Sequence, residues 1–275
     1  MEGYGVAYGA ITVINAFATG IGAAIGVDLK VEVYIKKSLE TRIETYYRGK
    51  PLSLDLGLVK KILDIFRDIH GFKDEVRVYI DSEIPPEKGL KSSSAVANAL
   101  ILALYDYLDI EVGEREILEL NVSASLKSGV SLTGALDDAA ASLIGGLVVT
   151  DNIGRRILLH KDIGEYDVLI TYPERRIATS SFRDVDFSPI KGLIHDITNL
   201  LLEGEWETAM TLNGFVYTVF LGYDTKPIHL ALKSGVAAVS LSGKGPAYAA
   251  VTGDLEILRK KWEELGWRLI VSSTR

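Results

Sequence analysis

An α+β fold in two domains is expected from this 275-residue chain. Three observations carry the expectation. Period-two and helix-period segments both occur, they do not alternate as strict strand–helix–strand units in the second half, and the length suits one or two cores. A soft boundary near Asn152 gives domains 1–152 and 153–275, with no linker composition to mark it. Apolar content of 48% and charged content of 24% are those of an ordinary globular protein. A net charge of −7 argues against a general binder of nucleic acid or anionic membrane. The absence of cysteine removes disulfides, thiolate metal sites and thiol nucleophiles, and it fits a cytoplasmic location.

The elements follow in order. Gly3 to Val27 carries no charge, but its glycines and its interspersed Thr12, Asn15 and Thr19 break any run long enough to span a bilayer. It reads as strand, tight turn, strand. Val27 to Ile35 alternates at period two, and Thr41 to Arg48 is a further strand. Leu54 to His70 places Leu56, Val59, Ile62, Leu63, Phe66 and Ile69 at helical spacing, closed by Gly71. Val76 to Ile80 is a strand running into the loop Ser82 to Lys91, where Pro85-Pro86 breaks regular structure. Helices are expected over Ser92–Leu108, Glu114–Lys127 and Ala135–Ile144, then strand Leu147–Thr150 and a hairpin turn at Asn152–Gly154 towards Arg156–His160. The second half reads as strand Asp167–Tyr172, helices near Pro189–Leu202, Glu205–Leu221 and Thr225–Lys233, and strand Val236–Leu241. A loop at Ser242–Pro246 leads to strand Ala247–Thr252, helix Leu255–Leu265 and strand Arg268–Ser272.

The loop before Ser92 holds the most chemistry. Pro86-Glu87-Lys88-Gly89-Leu90-Lys91-Ser92-Ser93-Ser94-Ala95-Val96 puts a glycine, two lysines and three hydroxyls at the start of a strongly apolar helix. Free N–H groups and the dipole make such a terminus an anion site, and glycine lets backbone approach phosphate closely. One serine would suffice for ordinary capping. There is no Gly-x-x-x-x-Gly-Lys-Ser/Thr, and Gly20 to Gly26 misses the dinucleotide fingerprint by one residue. The four histidines lack zinc spacing, and no Gly-x-Ser-x-Gly elbow occurs.

Pro85-x-x-x-Gly89-Leu90-x-Ser92-Ser93-x-Ala95 resembles the second motif of the galactokinase, homoserine kinase, mevalonate kinase and phosphomevalonate kinase (GHMP) superfamily. Asp138 followed by Gly145-Gly146 resembles its Asp-x6-Gly-Gly segment. Ser242-Gly243-Lys244-Gly245-Pro246 resembles its glycine-rich third motif. Within the superfamily the chain is most similar to archaeal-type shikimate kinases, on the stretches Gly9–Gly20, Gly22–Asp28, Gly89–Ala99 and Gly134–Ala139.

The resemblance implies a two-domain fold with the site in the inter-domain cleft, and phosphoryl transfer from MgATP to the 3-hydroxyl of shikimate. It implies that Pro86 to Val96 wraps the ATP phosphates, that Ser93 meets Mg²⁺, that Asp138 faces the acceptor hydroxyl, and that Gly243 and Gly245 close on the transferring group. Neighbouring Asp137 would point elsewhere, about 100° round the helix. Arg175, Arg176 or Arg183 would suit the acceptor carboxylate, while Asn15 and Thr19 would suit either acceptor hydroxyls or their own turn. Homoserine or mevalonate kinase activity, diphosphate decarboxylation and nucleotide binding without turnover are the alternatives. Two departures from the superfamily stand out: no lysine precedes Lys30, and the offset of the acidic Mg²⁺ partner falls at Lys127. The glycines are expected where backbone must approach phosphate and substrate.

Glutamine is absent and methionine occurs only twice, a composition typical of heat-adapted proteins. The melting midpoint should therefore lie above the mesophile range of about 45–65 °C. Differential scanning calorimetry measures it, and a midpoint inside that range contradicts the expectation.

Overall fold

The structure, a computed structural model, describes residues 1–131, 133–174 and 185–275. Strands β1 (Glu2–Ile14) and β2 (Ile21–Lys37) form a long antiparallel pair. Along β1 the alternation of exposed and buried residues ends at Gly9, and from Ala10 both faces are covered. The far edge of β2 is shared. Val31–Lys37 pairs with β5 (Val76–Ser82), and Ile21–Ile25 pairs with β6 (Leu147–Asp151). Parallel β3 (Arg42–Tyr47) with its two-residue partner β4 (Lys50–Pro51) extends one end, and β7 (Arg156–Lys161) extends the other. The first sheet therefore runs to Lys161, and the division expected at 152/153 falls inside its β6–β7 hairpin.

Helices α1 (Gly57–His70), α2 (Ser92–Leu108), α3 (Glu114–Lys127) and α4 (Leu136–Ile144) pack with this sheet. The first begins three residues later than its apolar spacing suggests, because Asp55 accepts from the Gly57 N–H at 2.8 Å and holds a turn ahead of the helix. α2 is apolar on nearly all sides and lies directly on β1. Gly3 and Gly5 make that possible: a Cβ on Gly5 would stand 2.6 Å from the Ala103 nitrogen and against the Ala99 carbonyl. α4 packs through Ala139 and Ala140 on Ala10 and Ala24, a small-residue seam that brings its backbone close to the sheet.

The second sheet is antiparallel, in the order β11 (Arg268–Ser273), β8 (Asp167–Tyr172), β10 (Tyr248–Thr252), β9 (Ala238–Leu241). After a 3₁₀ turn at Ser188–Ile190 come α5 (Lys191–Leu202), α6 (Trp206–Phe220) and α7 (Lys226–Leu232), with α8 (Leu255–Glu263) before β11. α6 bridges the two sheets, touching both β9 and β1. The last residues do the same, since Val27 bridges Thr274 and the Arg275 N–H donates to the Gly26 carbonyl at 3.1 Å. Among the described residues no helix is long and apolar enough to cross a membrane.

Gly5→Ala should cost about 2–4 kcal/mol, because the added methyl meets main chain that cannot yield. Gly113→Ser, at an open helix start with nothing near the would-be Cβ, should change stability by only a few tenths of a kcal/mol. Urea unfolding of both variants checks the contrast.

Candidate active site

The loop between β5 and α2 is shaped by left-handed residues: Glu87 at φ 58°, Gly89 at φ 82° and Lys91 at φ 64°. Leu90 anchors it in the core, and Pro86 is half-buried. Gly89 presses against the second glycine-rich loop so closely that a Cβ would collide with the Ser242 carbonyl. The Ser242 hydroxyl donates to the Gly89 carbonyl at 2.8 Å, and the Ala247 N–H donates to the Lys88 carbonyl at 3.2 Å. Gly243 donates its N–H to the Thr12 hydroxyl at 2.7 Å, tying the same loop to β1. Gly243 and Gly245 both have positive φ, and Pro246 follows into β10. Lys88 reaches the carbonyls of Pro173 and Glu174 at 2.7 and 2.9 Å and lies over the Tyr172 ring, bridging the loop to β8 rather than to a phosphate position.

Lys91 occupies the cap position of α2, and no side chain caps that helix. The first intrahelical bond runs from the Ala95 N–H to the Lys91 carbonyl at 3.0 Å. The N–H groups of Ser92, Ser93 and Ser94 precede it and have no helical partner. The Ser93 side chain is exposed, Ser92 and Val96 are half-buried, and Ser94 and Ala95 are buried. This end of a 17-residue helix is suited to a polyanion.

The two aspartates at the start of α4 diverge. Asp137 turns inward against Gly22, where a Cβ would strike its carboxylate. It accepts from Asn152 Nδ2 at 2.9 Å, and Asn152 in turn accepts from the Thr150 hydroxyl at 2.6 Å. Burial, then the neighbouring charge of Asp138, pushes Asp137 well above the usual carboxylate range. Asp138 turns outward to Lys91, with Nζ–Oδ1 at 2.7 Å. Side-chain exposures of 7% and 19% make this a largely desolvated ion pair. The contact is off-axis, so Oδ1 gains Coulomb attraction without a well-directed hydrogen bond. Lys91 thus stands between the open N-terminus of α2 and the Asp138 carboxylate.

Lys244 completes the group. Burial lowers its pKa to about 8, with Asp138 opposing the shift and Lys91 adding to it. Its ammonium lies 5.8 Å from the centre of the Phe17 ring, which stacks on Phe187 and meets Tyr217 edge-on. Beside Phe17, the Asn15 N–H donates to Asn213 Oδ1 at 3.1 Å, while Nδ2 of both asparagines is buried with no hydrogen-bond partner among the described residues. Thr19 serves its own turn, accepting from the Ile21 N–H at 3.2 Å. Arg175, Arg176 and Arg183 lie outside the described residues.

Several supporting residues are not singled out by the sequence. Asn98 donates to the Ala139 carbonyl at 2.9 Å, and Asn121 donates to Asn98 Oδ1 at 2.7 Å and to the Ser94 carbonyl at 3.0 Å. This buried amide chain locks the start of α2 to the start of α4. Its only sequence signal is an asparagine on an otherwise apolar helical face. Gly145 and Gly146 correct an expectation: they stand at the opposite end of α4 from Asp138, and a Cβ on Gly145 would lie 2.9 Å from the Arg275 carbonyl. Gly145 makes room for the end of the chain, and Gly146 for the Lys161 carbonyl at the end of β7. For the acidic Mg²⁺ partner missing at Lys127, Glu119 and Asp137 are the possible substitutes, and they do not gather. Glu119 pairs with Arg115 on an exposed face, Asp137 is enclosed, and no cluster of three or more His or acidic residues able to hold a metal occurs among the described residues. The Ser93 hydroxyl suits an ion held chiefly by nucleotide phosphates and water.

The model of the GHMP kinases N terminal domain matches residues 57–146, which contain the first loop, α2, α3 and Asp138. The shikimate kinase of Thermococcus kodakarensis is 45% identical over 260 residues, covering 94% of each chain. That of Pyrococcus furiosus is 42% identical over 276 residues, covering both chains entirely. Among solved structures, the Methanococcus jannaschii mevalonate kinase superposes with a TM-score of 0.75 at 17% identity, covering 100% of this chain and 98% of that one. Lactococcus lactis galactokinase, complexed with galactose, gives 0.70 at 13% identity, covering 99% and 93%. These two show the shared α+β fold. With both glycine-rich loops meeting at Asp138 and full-length relatives above 40% identity, the chain belongs to the GHMP kinase family, alongside the shikimate kinases of Thermococcus and Pyrococcus.

Proposed function

We propose that the protein transfers the γ-phosphoryl group of ATP to the 3-hydroxyl of shikimate, giving shikimate 3-phosphate and ADP. The observation that carries this reading is the Lys91–Asp138 pair at the open start of α2, supported by the full-length likeness to shikimate kinases. The phosphates lie along the backbone N–H groups of Ser92 to Ser94, where the helix dipole favours negative charge. The acceptor hydroxyl approaches the Asp138 carboxylate. Its oxygen bonds to the γ-phosphorus as the bond from that phosphorus to the ADP oxygen breaks, and its proton passes to Asp138 or, with Asp138 only orienting it, to solvent. Lys91 holds the carboxylate in place, and its charge also faces the phosphoryl oxygens as they gather charge. Mg²⁺, met by the Ser93 hydroxyl, supplies charge neutralisation on the nucleotide. A small-molecule acceptor and a cytoplasmic setting fit the acidic, cysteine-free composition.

Coupled ADP formation with shikimate, homoserine and mevalonate tests the substrate. Turnover of homoserine but not shikimate defeats the reading. Asp138→Asn should lower kcat by about 10²–10⁴-fold while the KM for ATP stays within a few-fold. The same substitution strands Lys91 without its counter-charge and should lower stability by about 3–5 kcal/mol. The double variant Lys91→Met, Asp138→Asn should regain much of that stability and none of the turnover. Near-normal kcat in Asp138→Asn removes its assigned role.

A further inference from the structure

We propose that the Lys244 ammonium receives the carboxylate of the acceptor. The inference rests on the shikimate-phosphorylating reading and names the group that selects an acidic acceptor.

The main chain around Lys244 leaves its side chain little choice of direction. Its carbonyl accepts from the Tyr223 hydroxyl at 2.7 Å, the preceding Gly243 is held by Thr12, and the following Gly245 donates to the Ser242 carbonyl at 2.8 Å. The side chain runs into the cleft and ends near Phe17. There it is an ammonium with an incomplete set of partners: among the described residues it makes no hydrogen bond and no ion pair. A largely desolvated charge in that condition is costly unless an anion meets it.

The local charges do not supply one. Asp138 is the carboxylate in range, and Lys91 already sits 2.7 Å from it. Asp137 is enclosed and driven towards its neutral form. Among the described residues, two lysines against one outward-facing carboxylate leave the pocket with an excess positive charge.

Two kinds of anion come to this cleft, phosphate and carboxylate, and the surroundings of Lys244 favour the second. The phosphate position is built from backbone N–H groups and hydroxyls on the far side of Lys91. Beside Lys244 stands the Phe17 ring, backed by the buried rings of Phe187 and Tyr217. An ammonium against an apolar face suits a carbon ring carrying one acidic group, not a triphosphate. A charge-assisted pair in such a place is worth roughly 10- to 100-fold in kcat/KM.

Steady-state kinetics on the full chain, comparing shikimate with its carboxamide, test the proposal. The wild type should favour shikimate by about 10- to 100-fold in kcat/KM. Lys244→Met should erase that preference by losing activity on shikimate, with the KM for ATP unchanged, and Lys244→Arg should restore it. A variant-free arm uses pH. The charged form of Lys244 is present below its pKa of about 8 and is lost as pH rises through it. Asp138 on α4 and Lys91 before α2 are the charged groups that face it. The KM for shikimate should therefore climb above about pH 8, with no matching climb for the carboxamide. Equal discrimination by Lys244→Met and wild type overturns the proposal, as does an equal fall in kcat for both acceptors, which would assign Lys244 to the transferred phosphoryl group. If the wild type does not phosphorylate shikimate at all, the substrate reading fails and takes the proposal with it. Turnover with unaltered discrimination sinks the proposal alone.

Discussion

The site depends on one close approach of backbone to backbone. Gly89 and Ser242 belong to loops 153 residues apart, and they meet with no room for a side chain between them. The contact is polar, a serine hydroxyl on a carbonyl, reinforced by the Ala247 N–H on Lys88 and the Gly243 N–H on Thr12. Three hydrogen bonds of about 1 kcal/mol each are modest in energy. Their value is directional. They bring the loop that starts α2, the loop that starts β10 and the end of β1 to one place, so Lys91 and Lys244 both project from a clamped main chain.

That clamp explains how the chain manages without a lysine near its N-terminus. The cation beside the Asp138 carboxylate comes from the phosphate loop itself, through Lys91. Asp137 and Asp138 show the same economy of position. Adjacent on a helix, one carboxylate is buried against Gly22 and Asn152 and driven towards neutrality, and the other keeps a cationic partner and an open face. Two ionised carboxylates side by side would repel. Enclosing one leaves the charge of the second undiluted.

Most of the fold is legible in the sequence because strong periodicity and strong breakers coincide. The apolar run from Ser92 and the Pro85-Pro86 break leave no alternative for α2. β4 is invisible because two residues carry no period, and its existence depends on β3 being in place beside it. The glycines mislead in a physical way. Gly3 and Gly5 make room for α2, Gly22 for Asp137, Gly26 for the end of α4, and Gly145 for the end of the chain. Close approach is the common cause, but only Gly89, Gly243 and Gly245 use it at the cleft. Sequence spacing separates Asp138 from Asp137, since helix geometry alone turns them apart. It does not reveal where Lys88 or Lys91 points, because neighbouring residues with positive φ redirect the side chains and nothing in the sequence forces a non-glycine residue into that region. The orphan amide of Asn213 is likewise silent until α6 is laid against Asn15.

The left-handed residues ahead of α2 and α4 carry the last step. Lys91 and Ala135 hold the cap positions of these helices at φ 64° and 51°, and neither is a glycine. Each costs about 1–2 kcal/mol relative to a residue without a Cβ. Glycine at the position of Lys91 would relieve the strain. It would also delete the ammonium. The strain persists here because the side chain it carries neutralises Asp138 in a desolvated cleft, and losing that pairing costs more, about 3–5 kcal/mol. The Asn98–Asn121 chain keeps the arrangement from relaxing, since the carbonyls of Ser94 and Ala139 that it grips lie within three or four residues of both strained caps. A cation placed on a strained, clamped turn has little freedom to follow its partner, so the distance between the phosphate cradle and the Asp138 carboxylate is set by main chain and not by side-chain rotamers. That is the condition under which positioning alone accelerates phosphoryl transfer.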